Sequence, residues 1–181
     1  MGGAIASVRN VKIFVLYLME NINYPLDFVT INDIVMQTDY VLYLDFAESF
    51  YEMLDANLIE FVESEGEKYY FVTDRGRLVA RELHSDILST ILDKSLEAAF
   101  RYLDFKKRGI EASCSSSRRP DGRFDMTCTL YEKQEKIFEV SMVVDTENRV
   151  ERMKQLYMER PDVVYRGNIA LLTGKMGYLF T

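Results

Sequence analysis

The chain has few of the side chains on which enzyme active sites and metal centres depend. Its 181 residues include one histidine, His84, and two cysteines, Cys114 and Cys128. Two cysteines are too few for a disulfide framework, and they lack the clustered ligand spacing of a zinc site. Catalysis by a nucleophile needs a base beside it and a third group that orients the base. We therefore predict a protein that is not an enzyme and that uses no metal or other cofactor.

The chain also lacks a long hydrophobic run. The apolar stretch from Ile13 to Met19 is far shorter than the roughly 20 residues that a membrane-spanning helix needs. The first residues carry no basic start for a signal peptide. We expect a cytoplasmic protein with no membrane partner.

Basic residues are scarce in the first half of the chain. Residues 1–83 hold 6 Lys+Arg against 14 Asp+Glu, whereas residues 84–181 hold 16 against 15. The net charge of −7 therefore belongs to the first half. Because Lys and Arg supply most of the affinity of proteins for nucleic-acid phosphates, this acidity argues against DNA contact through the first half.

Residue periodicity in the first half predicts three helices, a hairpin and a fourth helix. This order is typical of a winged helix-turn-helix domain, which we place at residues 8–83. The predicted elements are a helix over 8–22, a short helix with Thr30 as N-cap that ends near Gln37, a helix from about Leu42 to Ala56, a two-stranded hairpin over 58–62 and 69–72, and a helix opened by 73–76.

The second half begins with a predicted long helix from about Ser85 to Lys107, within a linking and dimerisation segment at 84–108. The apolar stripe of this helix includes Leu88, Leu92, Ala99 and Leu103. It is wider than the hairpin over 58–72 could cover, so the helix needs a further packing partner. A period of two then predicts three antiparallel strands, and two helices follow. We assign 109–175 to an α/β sheet domain. The fold class is thus α+β, with strands over 110–117, 123–132 and 136–144 and helices over 146–160 and 162–172.

Several segments resemble known families. The stretch Tyr70-Phe71-Val72-Thr73-Asp74-Arg75-Gly76-Arg77 resembles the chain leaving the wing in bacterial regulators of the PadR and MarR kind. The whole order is similar to a bacterial family catalogued as a domain of unknown function, with likeness at 24–26, 54–60 and 160–165. The resemblance implies a winged-helix fold, a dimer formed through the long helix and, by analogy, a role in transcription regulation.

The third predicted helix lies where a winged-helix protein reads DNA, but its outer face is acidic. Asp45, Glu48, Glu52 and Asp55 follow one another at offsets 0, 3, 7 and 10, so they share one face. Two hypotheses remain open. In the first, the protein is a dimeric transcription regulator whose uncharged residues Tyr40, Tyr43 and Ser49 contact DNA. In the second, the winged-helix scaffold has lost DNA binding and its acidic face binds a basic protein.

Basic residues cluster once, at Lys106, Lys107, Arg108, Arg118, Arg119 and Arg123. A solvated hairpin explains this cluster without any function. The functional alternatives are contact with DNA phosphates and docking of an acidic protein surface. We call Arg118, Arg119 and Arg123 the basic hairpin.

Turn geometry places the two cysteines opposite each other. If 120–122 form a type I turn with a glycine bulge, paired positions in the hairpin sum to 242, and Cys114 faces Cys128. Counting from the turn puts them at a non-hydrogen-bonded site, where Cα atoms lie about 4.5 Å apart. The alternatives are two packed thiols and a redox switch.

Three further features carry weaker hypotheses. His84 sits between two helices as a helix-end or hinge residue, or else as a catalytic or pH-sensing group. Asp45 and Glu48 are either a solvated acidic pair or a metal site. Aromatic residues of the sheet domain either line a ligand pocket or form its core; they are Phe124, Tyr131, Phe138, Tyr157 and Tyr165.

Overall fold

A computed structural model describes Ile5 and residues 7–174 of the chain. The described residues form a mixed α+β fold with seven α-helices and two three-stranded antiparallel sheets. The chain divides into two compact units, residues 1–102 and 103–181. The predicted domain end at residue 175 lies outside the described residues. Within the described part, no helix is both long and apolar enough to cross a membrane.

The first unit contains the predicted helices and hairpin, with one additional strand. In chain order its elements are α1 (Val8–Ile22), β1 (Leu26–Asp27), α2 (Phe28–Met36), α3 (Tyr43–Asp55), β2 (Ile59–Ser64), β3 (Glu67–Val72), α4 (Asp74–Leu83), a 3-10 turn (His84–Asp86) and the start of α5 (Ser89–Lys107).

Helix α1 is the central element of this unit. The Ser7 hydroxyl caps its first turn by accepting a hydrogen bond from the Asn10 amide, and Asn23 ends it in the left-handed conformation. Val11, Phe14 and Val15 are fully buried, and the helix packs against α3 and α4. Burial of this broad apolar stripe holds α3 in place.

The predicted start of α2 was wrong. Asp27 is the N-cap, and its carboxylate accepts a hydrogen bond from the Thr30 amide at 2.8 Å. Thr30 lies inside the first turn and is buried. Both residue types cap helices well and they stand three positions apart, so the sequence contained two competing cap signals.

The first sheet has three strands, where the sequence predicted two. Its order is β1-β3-β2, and β1 pairs Leu26 with Tyr70 and Asp27 with Tyr69. A strand of two residues is too short to produce a period-two pattern, which explains why the sequence did not reveal it.

Helix α5 begins at Ser89, four residues later than predicted. The 3-10 turn over His84–Asp86 and the extended backbone of Ile87 separate it from α4. Ile87 is buried, so the break places an apolar side chain in the interior where a continued helix was expected.

The second unit contains β4 (Ile110–Arg118), β5 (Phe124–Glu132), β6 (Glu135–Val144), α6 (Glu147–Glu159) and α7 (Pro161–Leu172), close to the predicted bounds. The sheet order is β4-β5-β6. Between β4 and β5, the Gly122 amide donates to the Arg119 carbonyl, and Gly122 has φ +85°. This is the predicted turn with its glycine bulge, and the predicted register is confirmed.

The core of this unit lies on one face of the sheet. Met126 and Leu130 of β5 pack with Val150 and Tyr157 of α6. The aromatic residues proposed for a ligand pocket mostly belong to this core. Tyr157 is buried in it, and Phe124, Phe138 and Tyr165 pack against it.

Candidate interaction surfaces

The outward face of α3 carries acidic and apolar side chains together. Glu48, Glu52 and Asp55 are exposed, as predicted, and Asp45 is half-buried. The apolar Leu44 and Tyr51 lie beside them, with 77% and 63% of their surface exposed. We call this surface the acidic–apolar α3 face; its members are Leu44, Asp45, Glu48, Tyr51, Glu52 and Asp55.

Sequence reasoning missed the apolar members of this face. Leu44, Glu48, Tyr51 and Asp55 stand at offsets 0, 4, 7 and 11, which is the spacing of one helical stripe. The buried stripe of Phe46, Phe50 and Met53 lies opposite. The spacing of Tyr51 therefore indicated an outward position, although the neighbouring aromatic residue Phe50 points inward.

The prediction that Ser49 of α3 contacts DNA was wrong. Ser49 is fully buried (0% exposed), and its hydroxyl donates to the Val8 carbonyl at 3.4 Å. It therefore joins α3 to α1 and is not available to DNA. Tyr43 is exposed and Tyr40 is half-buried, so both can still meet a partner.

The hairpin of β2 and β3 continues the acidic character of the first unit. Glu60, Glu63, Glu65 and Glu67 are all exposed. The one lysine of this hairpin, Lys68, lies over the ring of the exposed Phe61, with its Nζ 4.3 Å from the ring centroid.

Aromatic rings join this hairpin to α3. The buried Phe50 contacts Tyr51 at 6.1 Å and Tyr70 at 4.9 Å between ring centroids. Tyr70 in turn lies 5.9 Å from Phe61. Tyr51 of α3 and Tyr70 of the hairpin therefore both pack on the buried Phe50, which joins the two elements.

Most of these carboxylates form no ion pair with the described residues. Lys12 of α1 pairs with Glu52, with 2.7 Å between Nζ and Oε2. Among the residues that the structure describes, Glu48, Asp55, Glu63 and Glu65 form no ion pair. The surface thus retains its negative charge.

The predicted basic cluster is divided between the two ends of β4. Lys106, Lys107 and Arg108 precede the strand, whereas the basic hairpin follows it, about 26 Å further along an extended chain. Arg108 is also neutralised, because its guanidinium donates to both oxygens of Glu132 at 3.0 and 2.8 Å. This hydrogen bonding raises the pKa of Arg108 and lowers the pKa of Glu132.

The basic hairpin is largely neutralised by its own carboxylates. Arg123 donates two hydrogen bonds to Asp121 at 2.9 and 2.6 Å, and Arg119 donates to Asp125 at 3.1 Å. Hydrogen bonding from Arg123 holds the pKa of Asp121 below its ordinary value. Three guanidinium groups against two carboxylates leave a net charge of +1 at this end of the sheet. Arg118 is exposed and forms no ion pair with any described residue.

The predicted dimerisation stripe is not a free apolar surface. Leu92 and Ala99 are buried within the single chain, Leu103 is half-buried, and Leu88 is 71% exposed. Tyr102 of the same helix donates a hydrogen bond to the Asp33 carboxylate of α2 at 2.6 Å. A dimer through this stripe stays a prediction.

His84 has structural partners, and the Asp45 and Glu48 pair is not part of a metal-binding group among the described residues. His84 opens the 3-10 turn after α4; its Nδ1 lies 2.8 Å from the Arg81 carbonyl, and its ring stacks on Tyr17. Within the described part of the chain, no group of three or more histidine, cysteine, aspartate or glutamate residues is placed to hold a metal ion.

The two cysteines lie opposite each other, as the register predicted. Cys114 of β4 pairs with Cys128 of β5, and their Sγ atoms are 2.8 Å apart. Cys128 is 3% exposed, whereas Cys114 is half-buried. Burial, followed by the hydrogen bond and charge interaction with Cys114, raises the pKa of the Cys128 thiol to about 12.

A family model identifies the chain. The model of the domain of unknown function DUF4364 matches residues 11–172, so the protein belongs to this family. Membership in a family of this description was predicted from the sequence and is confirmed. The similarity to PadR and MarR regulators stays a prediction. No curated protein and no solved structure matches the chain.

Proposed function

We propose that the protein is a non-enzymatic interaction module on a winged-helix scaffold, and that its acidic–apolar α3 face binds a basic, partly apolar protein segment. The order of three helices, a hairpin and a fourth helix supports the scaffold assignment. The observation that carries the function is the set of carboxylates beside Leu44 and Tyr51, which are mostly exposed and, apart from Glu52, form no ion pair with the described residues.

Charge and shape select the class of partner. Phosphates would meet four carboxylates on α3 and four glutamates on the hairpin, where Lys12 pairs with Glu52 and Lys68 of β3 is the one lysine of the hairpin. A lysine- or arginine-rich helix would instead find opposite charges, with exposed aromatic rings for its apolar side chains and cation stems. The complementarity therefore favours a basic protein over DNA.

A second candidate is the dimeric transcription regulator implied by the family resemblance. Its support is Arg118 at the end of β4, which is exposed and forms no ion pair with the described residues, so its guanidinium can contact phosphate. The neutralised Arg119 and Arg123 weaken this candidate. In it, the protein acts in the cytoplasm as a homodimer and reaches DNA through the basic hairpin.

Fluorescence anisotropy with two labelled probes separates the candidates. The first probe is an amphipathic peptide of lysine and leucine, and the second is a mixed-sequence DNA duplex, each titrated at low and at physiological salt. We expect the peptide to bind and the duplex not to bind. Steeply salt-dependent duplex binding without peptide binding would instead support the transcription regulator.

A further inference from the structure

The chain's only two cysteines are a cross-strand pair inside the second unit. They stand 14 positions apart in sequence, on neighbouring strands, with Sγ atoms 2.8 Å apart. Adjacent residue pairs in the hairpin alternate between hydrogen-bonded and non-hydrogen-bonded sites. Because Arg119 and Arg123 form the hydrogen-bonded pair next to the turn, Cys114 and Cys128 fall on a non-hydrogen-bonded pair. The Cα spacing of such a pair, about 4.5 Å, lies within the range that a disulfide spans.

The two thiols differ in their access to solvent. Cys114 is half-buried and lies on β4, an edge strand of the sheet. Cys128 lies on the central strand and is buried in the core with Met126 and Leu130. A small oxidant therefore reaches Cys114 first, and Cys128 is placed to react only with its neighbour.

Two side chains of α6, Tyr157 and Lys154, interact electrostatically with the buried Cys128. The Tyr157 hydroxyl is buried and has no hydrogen-bond partner among the described residues. Burial raises the pKa of Tyr157, and nearby charge on Cys128 and Cys114 raises it further, which places the phenol near both thiols. A neutral phenol does not react with either sulfur.

We propose that Cys114 and Cys128 form a reversible disulfide, with Cys114 as the attacking residue and Cys128 as the resolving residue, and that the oxidant is a low-molecular-weight disulfide such as glutathione disulfide. The Cys114 thiolate attacks one sulfur of that disulfide, whose S–S bond breaks and releases one glutathione. The Cys128 sulfur loses its proton, attacks the Cys114 Sγ and releases the second glutathione. Two protein thiols are oxidised and one glutathione disulfide is reduced to two thiols, which take up the two protons.

Peptide mapping tests this site directly, because trypsin separates the two cysteines. Cleavage after Arg108 and Arg118 gives one cysteine peptide, and cleavage after Arg123 and Lys133 gives the other. The reduced, folded protein is incubated with about 1 mM glutathione disulfide. Free thiols are then alkylated and the digest is analysed without reduction. We expect peptides 109–118 and 124–133 to be linked and to separate on reduction, and the undigested, non-reduced protein to keep the mass of one chain.

Three variants test the order of reaction and the register. Cys128→Ser should accumulate glutathione on Cys114, whereas Cys114→Ser should leave the buried Cys128 unmodified while the protein is folded. The double variant Cys114→Ser with Ser115→Cys keeps two cysteines but moves one to the opposite face of β4, and it should form no internal link. Wild-type protein whose cysteines both remain alkylatable, or link only between chains, would overturn the proposal. An internal link in the double variant would also overturn it.

Discussion

The acidic–apolar α3 face and the basic hairpin are both charged surfaces, but they differ in how many of their charged groups form ion pairs. On α3 and the neighbouring hairpin, Glu52 pairs with Lys12, and the other carboxylates form no ion pair with the described residues. At the end of β4, Arg119 and Arg123 are held by Asp121 and Asp125. A count of charges along the sequence would rank both as binding surfaces.

The difference shows that net local charge depends on pairing geometry as well as composition. Exposed ion pairs contribute little to stability, so the pairing at the basic hairpin matters mainly because it cancels the field that a polyanion would sense. The unpaired acids of α3 keep their field. We therefore assign partner binding to α3, and four predictions test that assignment.

The largest effect is expected from charge reversal on α3. The variant Glu48→Lys with Glu52→Lys should weaken binding of the lysine–leucine peptide by about 10- to 100-fold, because attraction is replaced by repulsion at the centre of the face. Anisotropy titration measures the change. The matched control, Glu82→Lys with Asp93→Lys, makes the same change in net charge at exposed sites on α4 and α5. Equal losses in both variants would contradict a localised site.

Removing the two carboxylates that pair with the basic hairpin should increase its affinity for DNA. Asp121→Asn with Asp125→Asn leaves three guanidinium groups without their partners, so affinity for the mixed-sequence duplex should rise by about tenfold at low salt, with a steeper salt dependence. The control Glu135→Gln with Glu147→Gln neutralises two exposed carboxylates that form no ion pair with described residues. An equal rise in the control would mean that overall charge, and not pairing, governs DNA binding.

A smaller gain is expected on the α3 face. Lys12→Ala releases Glu52 from its ion pair, which should strengthen peptide binding by about two- to threefold. Arg9→Ala is the control, because Arg9 pairs with Asp86, outside this face. If Lys12→Ala weakens peptide binding, the ion pair itself would be part of the binding surface.

The smallest predicted effect is a change in one pKa. Arg123 lowers the pKa of Asp121, so the stabilisation is present above the ordinary aspartate pKa and is lost as the pH falls through the lowered value. Carboxyl NMR titration of Arg123→Ala should show the Asp121 pKa rising toward the ordinary value. Lys136→Ala, which removes a cation paired with Glu139, should leave it unchanged. A low Asp121 pKa that persists without Arg123 would argue against the pairing.

The sequence predicted the elements well because their signals are local or periodic. Apolar spacing located α1 and α3, and the turn residues 119–122 set the register that pairs Cys114 with Cys128. The prediction of Thr30 as the N-cap of α2 was wrong because Asp27, three positions earlier, is an equally good cap residue.

The contacts of individual surface side chains were harder to predict, since they depend on how elements pack. Ser49 lies near the edge of the acidic stripe, and only the packing of α1 against α3 shows that it is buried. Likewise, the sequence places Asp121 and Asp125 close to the arginines of the basic hairpin but does not show which arginine each one contacts. Their neutralising contacts with Arg123 and Arg119 required the folded hairpin.

The most direct test of the account is an NMR titration of isotope-labelled protein with the lysine–leucine peptide and, separately, with the mixed-sequence duplex. If the acidic–apolar α3 face is the binding site, the peptide shifts its backbone signals, above all those of Leu44, Glu48 and Tyr51, and the duplex leaves them unchanged. Peptide-induced shifts that avoid α3, or duplex-induced shifts centred on Arg118, Arg119 and Arg123 in the wild-type protein, would contradict this assignment.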